Sequence, residues 1–310
     1  MTGASGFVGR ALLARLASDP LFDGRGLYRT SGSVADNGVP AIVVGDLSES
    51  PDFDAALRGV DVVIHTAART HVVDEREHDP LAAYRKINVT GTLNIAKAAA
   101  VAGARRFVFL SSVKVNGEST PINRPFTEAD PPAPLDFYGQ SKWEAEQALW
   151  KLSAETGMEV VVLRPTLIYG QGVKGNLRRL IRLVERGLPL PLGAVANRRS
   201  MIGLDNLVSA ILATATHPAA ADRTFLVSDQ DDLSTPDLLR AIATGLARPL
   251  ALWPVPVSVL TAVGNLLGWR AEVDRLANSL LVDSTLLSTT LSWRPETSVT
   301  EGIRRMLRAG

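Results

Sequence analysis

Through the first half of the chain, short runs of β-branched and aliphatic residues alternate with longer stretches whose apolar positions recur at helical spacing. The short runs, bounded by polar or glycine-bearing segments, predict strands over 26–29, 41–44, 60–65, 106–110 and 159–163. Residues 81–102 and 138–155 carry apolar residues three and four apart, and predict helices that pack on a sheet. A further helical run, 10–17, follows a glycine-rich opening. Strands and helices in regular alternation predict an α/β fold class, a doubly wound parallel sheet with helices on both faces. After about residue 165 the alternation loosens into loops such as Gly187-Leu-Pro-Leu-Pro-Leu-Gly193. We therefore expect a dinucleotide-binding unit over 1–165 and a smaller C-terminal α/β substrate lobe over 166–310, with elements free to interleave across the boundary. No solenoid-length repeat or low-complexity tract interrupts this pattern.

Composition narrows the picture. With 310 residues and 46% hydrophobic content the chain can fill a substantial core, and 33 basic against 32 acidic residues give no electrostatic basis for nucleic-acid binding. The absence of cysteine excludes disulfides, thiolate catalysis and zinc–thiolate sites. The four histidines, at 65, 71, 78 and 217, lack helical metal-ligand spacing, so no metal is expected. Residues 1–9 read as a glycine-rich turn rather than a leader, which with the cysteine count predicts a cytoplasmic protein. Residues 249–269 contain no charged side chain but are interrupted by Pro254, Pro256, Gly264 and Gly268. They read as a buried helix of the second lobe, with a membrane-surface contact as the alternative.

Chemistry enters with Gly3-Ala-Ser-Gly6-Phe7-Val8-Gly9, which opens directly into the helical run. Glycines there let the backbone turn sharply and approach a pyrophosphate, whose charge is met by amides at the helix N-terminus, a Rossmann-like arrangement. Taken alone, the motif is also compatible with an ordinary glycine-rich turn. Such a turn ordinarily follows a central strand, yet only Met1 and Thr2 precede Gly3. The expectation is a first strand almost wholly missing, open hydrogen-bonding edges on its two neighbours, and a natural start lying upstream. Asp46-Leu47 and Thr66-Ala67-Ala68 follow predicted strands, at the strand ends where open α/β sheets bind ligands. About twenty residues past the glycine turn, where an NAD-binding acid is looked for, the chain reads Tyr28-Arg29-Thr30-Ser31. Arg29 suits a 2′-phosphate and favours NADP(H) over NAD(H), unless it is merely solvated and cofactor choice is made elsewhere.

Tyr138-Gly-Gln-Ser-Lys142 places a phenol and an ammonium four residues apart on one helix face. The ammonium is expected to lower the phenol's pKa and poise it as a proton donor. Ser112, just past the predicted strand 106–110, sets a hydroxyl beside the same sheet edge, where it can hold an oxygen whose charge changes. A Tyr-x-x-x-Lys pair alone is commonly a surface pair; the glycine turn and the serine, in this order, give it meaning.

Together these residues resemble the extended short-chain dehydrogenase/reductase family, in its nucleotide-sugar branch, and the resemblance covers nearly the whole chain. Asn88-Val-Thr-Gly-Thr92, Arg164-Pro165 and Ser292-Trp293-Arg-Pro295 are similar to further family segments. The resemblance implies Ser112, Tyr138 and Lys142 as the catalytic set, with Lys142 also holding the nicotinamide ribose, and Asn88 and Pro165 on the cofactor side. It further implies Arg199, with Arg275 as a weaker second, for the nucleotide diphosphate, and Asn176 with the loop carrying Leu190 and Leu192 for uridine. Homodimerisation through 81–102 and 138–155 is implied too. Sugar dehydratases of the family carry an Asp-Glu pair where Val113-Lys114 stand, so that activity is not expected. The epimerases' turn asparagine and NAD-selecting acid are also missing. The pattern most resembles reductases of UDP-linked 4-ketosugars in surface-polysaccharide synthesis, with a UDP-sugar 4-epimerase and a non-catalytic NADP(H)-binding protein as alternatives.

Overall fold

The computed structural model describes residues 1–34, 38–70 and 79–308; His71 and His78, weighed above as metal ligands, lie outside them. Strand β1 (Gly26–Tyr28) pairs in parallel with β2 (Ala41–Val43), and β3 (Val62–His65), β4 (Arg106–Leu110), β5 (Glu159–Pro165) and, from much later in the chain, Arg223–Val227 form a second parallel set in that order. Met1 and Thr2 run between the two sets: the Leu27 amide donates to the Met1 carbonyl at 2.8 Å and the Thr2 amide to Ile64 at 3.0 Å. The edges expected to stand open beside a missing strand are thus bridged at their C-terminal ends by these two residues.

Side chains of the central strands alternate between two buried layers, as a sheet covered on both faces requires. Val108 and Leu110 face helix α1 (Phe7–Ser18), while Phe107 and Phe109 face the layer of Ile95, Ala96, Ala99, Ala145 and Leu149. After the short α2 (Asp54–Leu57), the stretch expected as one helix over 81–102 divides into α3 (Pro80–Arg85), a π-helical turn over Lys86–Gly91, and α4 (Thr92–Val101). The wider turn goes with the Thr92 hydroxyl donating to the Asn88 carbonyl at 2.7 Å. Helix α5 (Phe137–Thr156) begins at Asp136, whose carboxylate caps the Gly139 amide at 2.7 Å, and ends at Gly157 in the left-handed region.

Beyond Pro165 the chain forms β6 (Leu167–Tyr169), α6 (Gly175–Glu185) and β7 (Met201–Gly203), which pairs with β6. It then returns to the main sheet with α7 (Leu204–Thr216), packed on α1, and the edge strand β8 (Arg223–Val227). Helices α8 (Thr235–Leu246), α9 (Val257–Leu267) and α10 (Arg270–Ala277) build the second lobe, α11 (Thr285–Leu291) packs back towards β8, and α12 (Val299–Arg308) lies on α8. The stretch 249–269, read as a buried helix, is corrected here. Val259, Val263 and Leu266 of α9 share a face with helical spacing and all point to solvent, Leu266 being 85% exposed, with Trp253 and Trp269 about equally open at 59% and 60%. An uncharged run marks an apolar surface without saying which side of it meets water. Among the described residues, no helix is long and apolar enough to cross a membrane.

Candidate active site

Gly3 has φ +71°, and a Cβ there would stand 2.6 Å from both the Ala67 amide nitrogen and the Thr66 hydroxyl. Gly9 is tighter still, since its Cβ would fall 2.0 Å from the Gly3 carbonyl oxygen. The turn therefore closes on itself and on the loop after β3 only because these positions lack side chains. Helix α1 starts at Gly6 with no side-chain cap and no acid in its first turn, while Val8 is buried beneath it and Phe7 packs partly against both lobes. Its leading amides are available to an anion, so the residues present fit a dinucleotide's pyrophosphate.

Under that turn lies His65, buried between Phe107 and Phe109 with ring centroids 5.7 and 5.9 Å away. Thr2 Oγ1 accepts the Ala67 amide at 3.5 Å and stands 2.8 Å from His65 Nδ1; Thr92 Oγ1, already donating to Asn88, stands 3.0 Å from Nε2. A neutral imidazole with its proton on Nε2 satisfies all of these contacts. Burial, and behind it the Lys142 charge, pulls its pKa down to about 3. Asn88, fully buried, brackets the loop after β3 by accepting the Arg69 amide at 2.8 Å and donating to its carbonyl at 3.0 Å, and donates to Ser141 of α5 at 2.9 Å. It therefore ties the loop after β3 to α5. Thr66, Ala67 and Ala68 are half-buried beside the turn. Asp46, after β2, is held below the usual carboxylate range by hydrogen bonds from the Ser48 hydroxyl and amide at 2.7 and 2.9 Å. Leu47 packs against Gly91, and Arg29 stands exposed past β1 with its charge felt at Asp46.

At the C-terminal edge of β4 the structure brings Ser112, Tyr138 and Lys142 together. Ser112 stands close enough to the Tyr138 hydroxyl to favour its ionised form, its Oγ accepting the Lys114 amide at 3.2 Å, and Lys142 Nζ donates to the Leu110 carbonyl at 2.7 Å while lying 4.4 Å from the Phe109 ring centroid. Tyr84, which no sequence pattern marks, sets its ring 6.3 Å from that of Tyr138. The electrostatic expectation needs correction. Burial, reinforced by Asp136, pushes the Tyr138 phenol up, with Ser112 opposing, and burial pulls Lys142 down to about 7 against the pull of Glu146. The ammonium sits 6.0 Å from the phenol ring centroid and is committed to a carbonyl, so desolvation outweighs its attraction.

Beneath this set is a buried cluster centred on Arg164, whose partner Glu146 the motifs did not mark. Glu146 accepts from Arg164 Nε at 3.0 Å, from Arg164 Nη2 at 2.6 Å and from the Ser111 hydroxyl, and Arg164 Nη1 donates to Asn116 at 3.1 Å. Pro165, next to Arg164, is buried at the end of β5. A signal for Glu146 was present, an acid one turn beyond Lys142 on an otherwise packed face; Asn116 had none.

The substrate-side expectations divide. Arg199 Nη1 donates to the carbonyls of Arg275 and Asn278 at 2.9 and 3.1 Å, so the two arginines are neighbours. Arg199 also feels Glu118, which pairs with Lys114 at 2.8 Å just past Ser112, so Arg199 lies on the same side of the fold as Ser112. Asn176 is exposed in the first turn of α6. Leu190 and Leu192 are corrected: both side chains are buried in the core of the second lobe, and the Leu190 backbone pairs with Ala251 and Trp253, which leaves nothing of Leu190 for a nucleoside. Among the described residues, no group of three or more acidic or histidine side chains could hold a metal ion.

A parallel sheet, an uncapped glycine-turn helix and a Ser, Tyr, Lys set at the strand ends define an extended short-chain dehydrogenase/reductase type of enzyme. Residues 1–227 match the model of the NAD dependent epimerase/dehydratase family, and the chain belongs to that family. It is 42% identical over 310 residues to UDP-glucose 4-epimerase of Vibrio cholerae, covering 100% of this chain and 94% of that protein. It is 31% identical over 265 residues to N-acetyl-alpha-D-glucosaminyl-diphospho-ditrans,octacis-undecaprenol 4-epimerase of Escherichia coli O157:H7, covering 84% and 76%. The crystal structure of UDP-glucose 4-epimerase with UDP-glucose from Thermotoga maritima shares the fold, with a TM-score of 0.78, 20% identity and coverage of 99% and 96%.

Proposed function

We propose that this protein reduces the C4 ketone of a UDP-linked 4-ketosugar, with NADPH preferred over NADH, in the synthesis of a surface polysaccharide. The cofactor, held at the α1 N-terminus, the 66–68 loop and Lys142, supplies hydride when bound. Tyr138 gives its phenolic proton to the oxygen at C4, and Ser112 holds that oxygen in place. Lys142 orients the cofactor ribose, Arg199 and Arg275 take the diphosphate, and Asn176 meets the uridine. The observation that carries this reading is the grouping at the end of β4: Lys142 Nζ, 2.7 Å from the Leu110 carbonyl, lies 6.0 Å from the Tyr138 ring centroid, with Ser112 near the phenol, whose pKa burial raises so that it holds a proton to give. The exposed Arg29, where an NAD-selecting acid is looked for, supports the phosphorylated cofactor.

The two relatives, both 4-epimerases by name, favour a second reading, in which the same three residues oxidise and re-reduce C4 with a retained NAD. Mixing the protein with UDP-4-keto-6-deoxy-GlcNAc and following NADPH and NADH separately tests the first reading. Interconversion of UDP-GlcNAc and UDP-GalNAc without added reductant, with no NADPH consumed by the ketosugar, would overturn it in favour of the second. The same reading makes the protein a cytoplasmic homodimer through the helices of 81–102 and 138–155. The exposed apolar face of α9 supports a lipid-surface contact through 249–269, checked by co-sedimentation with anionic vesicles.

A further inference from the structure

Three consecutive residues at the end of β4 each face one of three residues spaced one turn apart on α5, and two of them hold theirs by hydrogen bonds. Ser112 stands beside the Tyr138 phenol, the Leu110 carbonyl takes Lys142 Nζ at 2.7 Å, and the Ser111 hydroxyl donates to Glu146. Positions 138, 142 and 146 lie on one helix face, so the contacts are rungs between a strand end and a helix. Two rungs belong to the catalytic set. The third contains no reacting group, yet it is the most heavily bonded. Glu146 is 0% exposed and takes both Arg164 contacts, at 3.0 and 2.6 Å, besides the serine. Arg164 in turn bonds Asn116 at 3.1 Å, and Asn116 Nδ2 donates to the Thr127 carbonyl at 3.3 Å. One carboxylate thereby joins the catalytic helix to β4, to β5 immediately before Pro165, and to the turn that follows Ser112.

A buried ion pair is a poor source of net stability, because both partners lose their hydration and an apolar pair of similar volume would serve as well. What it supplies is direction: a forked guanidinium and a carboxylate meet in one orientation, and the Ser111 hydroxyl donates to Oε1, the oxygen that also accepts Arg164 Nε, adding a third fixed contact. We propose that Ser111, Glu146 and Arg164 act as positioning residues that fix the rotation of α5 on β4 and so hold Tyr138 and Lys142 in register with Ser112. This rests on the reading that those three residues act at C4. A misplacement of about 1 Å at a reacting group can cost about a hundredfold in rate.

The clamp has an electrostatic consequence besides a geometric one. The groups facing Lys142 are Glu146 and Tyr138 from α5, the Leu110 carbonyl and the Phe109 ring from β4, and the neutral His65 from β3. Of these only Glu146 brings a negative charge that favours the protonated amine.

Two variants test the clamp. Ser111→Ala removes one rung and leaves the ion pair whole, so it is expected to fold; kcat should fall by about 10- to 100-fold with KM within about twofold, and Ser111→Thr should recover most of the loss. Glu146→Gln combined with Arg164→Gln leaves no orphaned charge, and should move the alkaline limb of the kcat profile to lower pH by about one unit. The Lys142 titration, followed by NMR of labelled lysine in cofactor-free protein, should move the same way. That second readout needs no sugar, so a wild type inactive on UDP-ketosugars would sink the functional reading while leaving the effect of Glu146 on Lys142 measurable. Wild-type turnover in Ser111→Ala, or a double variant that loses stability while both the limb and the Lys142 titration stay in place, would overturn the clamp.

Discussion

Lowering the pH should loosen this fold through His65 before most carboxylates respond. The imidazole is buried under the cofactor turn, held neutral between Thr2 and Thr92, with its pKa pulled from an ordinary 6.5 to about 3. A group whose folded-state pKa lies below its unfolded value binds its proton in the unfolded chain first, so stability rises with pH across the window from about 3 to 6.5 and is lost as pH falls through it. At 1.36 kcal/mol per unit, the loss relative to pH 8 is about 1.4 kcal/mol at pH 5.5 and about 2.7 kcal/mol at pH 4.5. The assay is urea unfolding at several pH values on the wild type and on His65→Gln, whose side-chain amide can still donate towards Thr92 but does not titrate. Other ionisable groups are common to both proteins, so the difference between the two curves isolates the imidazole. The wild type should lose stability more steeply on acidification, with the gap in slope growing below pH 6.5. Parallel curves would refute the argument, for they would mean that His65 accepts a proton in the native state at no cost.

Three further outcomes follow from the site. Tyr138→Phe should lower kcat by about 10² to 10⁴ with little change in KM, and turnover equal to the wild type would remove Tyr138 from the donor role. Arg29→Asp should weaken NADPH binding by at least about tenfold and improve NADH binding, measured by fluorescence titration; an unchanged ratio would place cofactor choice elsewhere. Gly9→Ala should cost at least about tenfold in cofactor affinity together with thermal stability, because its Cβ would need the space of the Gly3 carbonyl at 2.0 Å. Unaltered dinucleotide binding by calorimetry would show that the turn can open.

What the chain determines alone is local. The strand runs are near-continuously apolar because both faces of β4 and β5 are buried, and the glycine turn and the Tyr138, Lys142 pair are legible because each needs only spacing within one turn or one helix face. The strand ends after which Ser112, Asp46 and Thr66 fall were visible for the same reason. Tertiary structure decided whatever depends on which groups share a desolvated space. Burial raises Tyr138 and lowers Lys142, reversing an expectation drawn from their spacing in water. Leu190 and Leu192 turn into the second lobe's core, whereas Val263 and Leu266, equally apolar, turn out to solvent. Glu146 meets Arg164 and Ser111 only because β4, β5 and α5 converge there. Spacing along a chain specifies direction relative to its own helix or strand; solvation and long-range partners exist only once the layers have packed.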